Sequence, residues 1–138
     1  MNTEETIRHI LTTYKTIASF GLSSNPAKPG YGIGLYLQKH GYEIIPVNPG
    51  ADEILGVKAY PDLASIPKPV DVVQVFRPSA DVPPVVEGAI QIGAKAVWMQ
   101  KGIANEEAAE AARKAGLLVV MDHCMREEHM WLYGEEEE

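Results

Sequence analysis

Thr-Ile-Ala-Ser-Phe-Gly-Leu-Ser-Ser-Asn-Pro-Ala-Lys-Pro-Gly-Tyr-Gly-Ile-Gly, residues 16–34, decides how the rest of the chain reads. Thr16–Phe20 is a short apolar and β-branched run, followed by Gly, Ser, Asn and Pro before helical spacing begins near Tyr31. The order is strand, loop, helix. A strand that ends at a helix N-terminus directs backbone N–H groups and the positive end of the helix dipole at one point, where an anion is favoured. Gly21 lets the backbone approach closely, Ser23, Ser24 and Asn25 offer short donors, and Lys28 adds a positive charge. The alternative is an ordinary connection in which Gly and Pro serve only the turn.

Outward from this stretch, strands alternate with helices. Ile7, Ile10, Leu11 and Tyr14 share one helical face, with Thr3 expected as N-cap and Glu4 and Glu5 in the first turn. Ile33, Tyr36 and Leu37 line a second helix ended by Gly41. A strand follows at Tyr42–Val47, stopped by Asn48-Pro49-Gly50, and a small edge strand is expected at Val57–Tyr60. Val70–Phe76 is nearly all valine, as a strand covered on both faces requires. Pro83 and Pro84 open a helix that Gly93 ends, Ala96–Met99 is a strand, Asn105 caps a helix over Glu106–Ala115, and Leu117–Met121 is the last strand before a short polar helix. This pattern predicts a single α/β domain over residues 1–134, Rossmann-like and doubly wound around a mainly parallel sheet, with an acidic tail at 135–138.

Bulk properties agree with one domain. The chain has 138 residues, 46% hydrophobic and 22% charged, enough for a sizeable core. Its single cysteine, Cys124, excludes an internal disulfide and a cysteine zinc cluster, and a net charge of −7 argues against nucleic-acid binding. The apolar runs are too short to span a membrane and the start lacks signal-peptide character, so a cytoplasmic protein is expected. His9, His40 and His129 read as half-exposed helical residues, and the histidines lack metal-ligand spacing.

In a doubly wound sheet the ligand lies beyond the carboxyl ends of the strands. Those positions hold Gly21–Lys28, Asn48-Pro49, Arg77-Pro78-Ser79, Gln100-Lys101-Gly102 and Asp122-His123-Cys124. Lys28, Arg77 and Lys101 thus share one rim of an acidic protein, which favours an anionic ligand. The first loop lacks G-x-G-x-x-G spacing and the second strand ends at uncharged Asn48, which disfavours standard NAD binding; no P-loop or hydrolase elbow occurs. Tyr31 and Phe76 are candidates for stacking or for packing, and Trp98 reads as core. Cys124 beside His123 reads either as a thiol able to meet a ligand's thiol or as buried packing.

Gly-x-Ser-Ser-Asn-Pro-x-Lys-Pro-Gly-Tyr at 21–31, Pro-Val-Asn-Pro at 46–49, Val-Asp-Val-Val-x-Val-Phe-Arg at 70–77, Ile-Gly-Ala-Lys-Ala-Val-Trp-x-Gln at 92–100 and Val-Val-Met-Asp-x-Cys at 119–124 together resemble the small bacterial and archaeal CoA-binding domain proteins. These are similar in fold to the N-terminal CoA-binding domain of the succinyl-CoA synthetase α subunit. The resemblance covers residues 5–133 and implies a domain that binds coenzyme A or an acyl-CoA, with the diphosphate at the first loop and the adenosine near the end of the second strand. Gly21, Ser23, Ser24, Asn25, Pro26, Lys28, Asn48, Pro49, Phe76 and Arg77 match the family's blocks; Tyr31, Gln100 and Lys101 join them from their place on the rim. One departure is His123, where the family carries an arginine. The implied role is a non-catalytic carrier, partner or regulator, with a protein partner or homo-oligomer as company. The alternative is an enzyme, either an atypical NAD(P)-linked oxidoreductase or a component of an acyl-CoA ligase.

Overall fold

The computed structural model describes residues 1–134. Its core is a five-stranded parallel sheet in the order β2-β1-β5-β6-β7, formed by β1 (Thr16–Phe20), β2 (Glu43–Val47), β5 (Val72–Val75), β6 (Ala96–Met99) and β7 (Leu118–Val120). β5 and β6 are buried at every position, which is why they read as unbroken apolar segments and not as alternating ones. A hairpin of β3 (Glu53–Ile54) and β4 (Val57–Lys58) forms a separate antiparallel pair. The edge strand expected at 57–60 is therefore half of a hairpin, tied to the main sheet only by the Val47–Tyr60 bridge.

Helices cover both faces. α1 (Thr3–Thr13), α2 (Pro29–Lys39) and α5 (Met125–Tyr133) bury Ile7, Ile10, Leu11, Leu37 and Met125 against Ile17, Ile44, Val72 and Trp98. α3 (Val82–Gln91) and α4 (Glu106–Lys114) bury Val82, Val86, Ala89 and the alanines of α4 against Val73, Val75, Val97 and Met99. Alternate strand residues point to opposite layers, so each strand supplies both cores. The expected doubly wound α/β domain is thus observed.

Several element ends differ from expectation. α1 is capped by Asn2, whose side chain accepts from the Glu5 amide while Glu5 answers to the Asn2 amide; this reciprocal box one residue earlier displaces Thr3 as the cap. α2 begins at Pro29, so Tyr31 lies in its first turn and not in the loop. The second, third and last main-sheet strands are shorter by one to two residues per end than their apolar runs, because pairing stops where the chain turns into its loops. His129 is buried, its Nδ1 2.8 Å from Tyr36 Oη, in an aromatic group with His40, Tyr42 and Tyr133; the half-exposed reading of this histidine is corrected. The buried Tyr42 phenol donates to the Leu11 carbonyl at 2.6 Å and ties α1 to the start of β2; burial, with Tyr133 and Tyr36 nearby, raises its pKa. The expected acidic tail, 135–138, lies outside the described residues.

Candidate functional site

The chain leaves β1 toward α2 on one face and leaves β5 toward α3 on the other. β1 and β5 are neighbours, so a crevice opens between their carboxyl ends, the topological switch point of a doubly wound sheet. Gly21 follows β1 there and Phe76-Arg77 follow β5. Gly21 has φ +87°, and a Cβ at this position would stand 3.0 Å from Arg77 Cδ and 3.4 Å from the Phe76 carbonyl carbon. Its lack of a side chain lets the two loops close on one another.

A cleft of about 530 Å³ occupies this edge. One wall is the β1–α2 loop and the first turns of α2: Gly21, Ser23, Lys28, Pro29, Gly30 and Ile33. The other is the β6–α4 loop with the start of α5: Gln100, Lys101, Ile103, Cys124, Arg126 and Glu127. Phe76 and Arg77 form the floor between them. Gly30 admits the Phe76 ring, since a Cβ there would meet Cε1 at 3.1 Å.

Four cations and one carboxylate line this cleft in a protein of net charge −7. Both helices that open on it begin without a side-chain cap, α2 after Lys28 and α5 after Cys124. First-turn N–H groups have no intrahelical acceptor and carry the positive end of the dipole, so each start adds to the positive field. The cations differ in their company. Arg77 pairs with Asp81 at 2.9 Å and Lys101 with Glu127 at 3.4 Å, all four side chains about half exposed or more. Lys28 has no carboxylate partner among the described residues. An apolar strip of Ile33, Phe76, Ile103 and Cys124 adjoins the charges, so the cleft suits a long ligand with an anionic part and an apolar part.

Seven of the residues expected at the site line this one cleft: Gly21, Ser23, Lys28, Phe76, Arg77, Gln100 and Lys101. The three rim cations are thereby brought together. Ser24, Asn25 and Pro26 form the exposed tip of the first loop, where Ser23 Oγ accepts from the Asn25 amide and Asn25 Oδ1 from the Ala27 amide. These hydroxyl and amide groups are engaged in shaping the loop. Tyr31 packs in the α1–α2–α5 core layer. Asn48 donates through Nδ2 to the Leu22 carbonyl at 3.0 Å and accepts the Gly50 amide at 2.8 Å, bracing the first loop from behind, and Pro49 is exposed beside it. Gln100 is 4% exposed and accepts the Met125 amide at 3.1 Å, so its side chain serves the start of α5.

Sequence reasoning missed Arg126 and Glu127. They lie in the first turn after the last rim segment, and extending each rim by one helical turn would have found them. His123 is directed away from the cleft lining, with Nδ1 3.4 Å from Glu128 and its carbonyl accepting the Trp98 indole N–H at 2.8 Å. Cys124 is buried yet lines the cleft. Among the described residues there is no cluster of potential metal ligands, and no helix is long and apolar enough to cross a membrane.

A parallel doubly wound domain with a cationic, glycine-lined cleft at its switch point defines a Rossmann-like module suited to an anionic ligand. The particular family follows from comparison with known proteins: the chain belongs to the CoA binding domain family, whose model matches residues 15–130. It is 43% identical over 123 residues to the YneT protein of Bacillus subtilis (strain 168), covering 89% of this chain and 91% of that protein. A solved structure from Pyrococcus horikoshii OT3 superposes with a TM-score of 0.91 at 44% identity, over 96% of this chain and 93% of that one. It is also 37% identical over 117 residues to acetate–CoA ligase [ADP-forming] II of Archaeoglobus fulgidus, covering 81% of this chain but only 17% of the ligase.

Proposed function

We propose that this protein binds coenzyme A or an acyl-CoA in the cleft and performs no chemistry of its own. The observation that carries this reading is the start of α2, uncapped by any side chain, headed by unpaired Lys28 and opened by Gly21 and Gly30 onto the cationic cleft. A diphosphate placed there meets first-turn N–H groups, the helix dipole and the Lys28 ammonium together. Arg77, Lys101 and Arg126 stand within the same lining for further phosphate charge, and the Ile33–Phe76–Ile103–Cys124 strip offers cover to the pantetheine arm. The lining contains no pair of a nucleophile and an oriented base, and a fold alone confers no activity. Ser23 is turned to its own loop, and Cys124 sits at a helix start without a histidine among its lining neighbours.

The test is calorimetry with coenzyme A, dephospho-CoA, NAD and NADP. Coenzyme A is expected to bind most tightly; tighter binding of NAD or NADP would overturn the reading in favour of an oxidoreductase. The similarity to ADP-forming acetate–CoA ligases supports a second reading, in which this domain presents CoA to other chains that complete a ligase. That version predicts acyl-CoA formation from acetate, ATP and CoA only when the partner chains are added.

A further inference from the structure

Three polar side chains lie in the apolar layer between the sheet and α5. Ser19 on β1 and Gln74 on β5 are fully buried and stand opposite one another in register, and Gln100 follows β6. Ser19 Oγ donates to Gln74 Oε1 at 2.7 Å, Gln74 Nε2 donates to Gln100 Oε1 at 3.1 Å, and the Met125 backbone N–H donates to the same Gln100 oxygen at 3.1 Å. The direction of this chain is set from one end. A backbone N–H can only donate, so it fixes the Gln100 oxygen toward α5; that oxygen takes the Gln74 amide nitrogen, and the Gln74 oxygen is left for the serine hydroxyl. Turning either amide over would bring donor against donor in a site closed to water.

Apolar residues would fill this space without such demands, so the chain of bonds has a use beyond filling it. Its terminus shows the use. α5 has no side-chain cap of its own, and its first free amide is instead held by a residue from β6. That first turn carries Cys124, Arg126 and Glu127 into the cleft, and Arg126 reaches α2 closely enough that a Cβ on Gly32 would stand 3.7 Å from Nη1.

We propose that Ser19, Gln74 and Gln100 form a positioning relay, which registers the first turn of α5 to the strands of the switch point and so sets the far wall of the binding cleft. The ligand arm of the test rests on the coenzyme A reading above; the structural arm does not. The experiment compares Gln74→Leu with Val86→Ala, a core truncation on the opposite face that lowers stability without touching the relay. Hydrogen exchange by NMR should show the Met125 amide losing about tenfold more protection in Gln74→Leu than the global loss of stability accounts for, and Val86→Ala should show no such excess. Coenzyme A affinity should fall about fivefold or more in Gln74→Leu and stay level in Val86→Ala. Gln100→Glu keeps an acceptor for the Met125 amide and should retain its protection, whereas Gln100→Leu should not. Met125 protection that changes in step with the Val86→Ala control overturns the relay. If the wild-type protein binds no coenzyme A, the function reading fails while the exchange measurement still decides the relay. Should Gln74→Leu not fold, Ser19→Ala, which removes only the last donor, carries the same exchange test with a smaller shift in the same direction.

Discussion

The wall of the cleft made by the β1–α2 loop and the wall made by the β6–α4 loop with the start of α5 carry cations in opposite circumstances. On the first, Lys28 heads an uncapped helix and has no carboxylate partner among the described residues. On the second, Lys101 is paired with Glu127 from the facing helix turn at 3.4 Å. The first wall holds its shape by local bonds, Asn25 to Ser23 and Ala27 to Asn25, with Asn48 behind it. The second is assembled from segments about a quarter of a hundred residues apart and is fixed by the buried Gln100. A charge with no partner is available to a ligand at no cost of separation, while a paired one must first be released. The two walls therefore contribute unequally to anion binding even though each offers a lysine.

The largest effect should come from the first wall. Lys28→Ala should weaken coenzyme A by about 1.5–3 kcal/mol, at least tenfold in Kd by calorimetry, because it removes a charge-assisted bond that no neighbour replaces. If Lys101→Ala costs more than Lys28→Ala, the ranking of the walls is reversed. Asn48→Ala should act on the same wall through its support: loss of the bonds to the Leu22 carbonyl and the Gly50 amide should lower unfolding free energy by about 1–2 kcal/mol in urea titration. An effect on affinity with no effect on stability would instead make Asn48 a direct contact. Arg77→Ala should weaken coenzyme A by only about 0.5–1 kcal/mol, since its pairing with Asp81 at 2.9 Å already uses part of its charge. A tenfold loss there would mean that Arg77 leaves Asp81 when ligand binds.

The same contrast explains what the sequence made legible. The first wall is continuous in the chain, so Gly21, Ser23 and Lys28 announce a strand–loop–helix anion site by their order alone. The parallel sheet was legible for a related reason: the buried valines of 72–75 and the glycines that end helices at Gly41, Gly93 and Gly116 mark each unit locally. What was not legible depends on contacts across the chain. Asn48 ends a strand at the rim and reads as a ligand residue, but its position behind Leu22 is set by pairing of β1 with β2. Arg126 and Glu127 enter the cleft only because Gln100 holds the start of α5, 25 residues further on. Tyr31 reads as loop because Pro29 and Gly30 look like breakers; proline at the first position of a helix starts it instead, and the ring then turns into the core.

The smallest expected effect has the opposite sign and tests the second wall most directly. Glu127→Gln removes the only carboxylate among the cleft-lining residues and frees Lys101, without adding a cation or changing the side chain's size. The pair is exposed on both sides, so breaking it should leave stability almost unchanged. Binding should respond through two additive causes: one negative charge less near the phosphates and one ammonium no longer shared. Together these should tighten coenzyme A by about 0.3–1 kcal/mol at low salt, and the gain should shrink as ionic strength rises. The same substitution in a Lys101→Ala background should retain only the part due to lost repulsion. An affinity that falls in Glu127→Gln would show that this carboxylate accepts a hydrogen bond from the ligand, in which case the second wall selects by shape and polarity and the first alone supplies the charge.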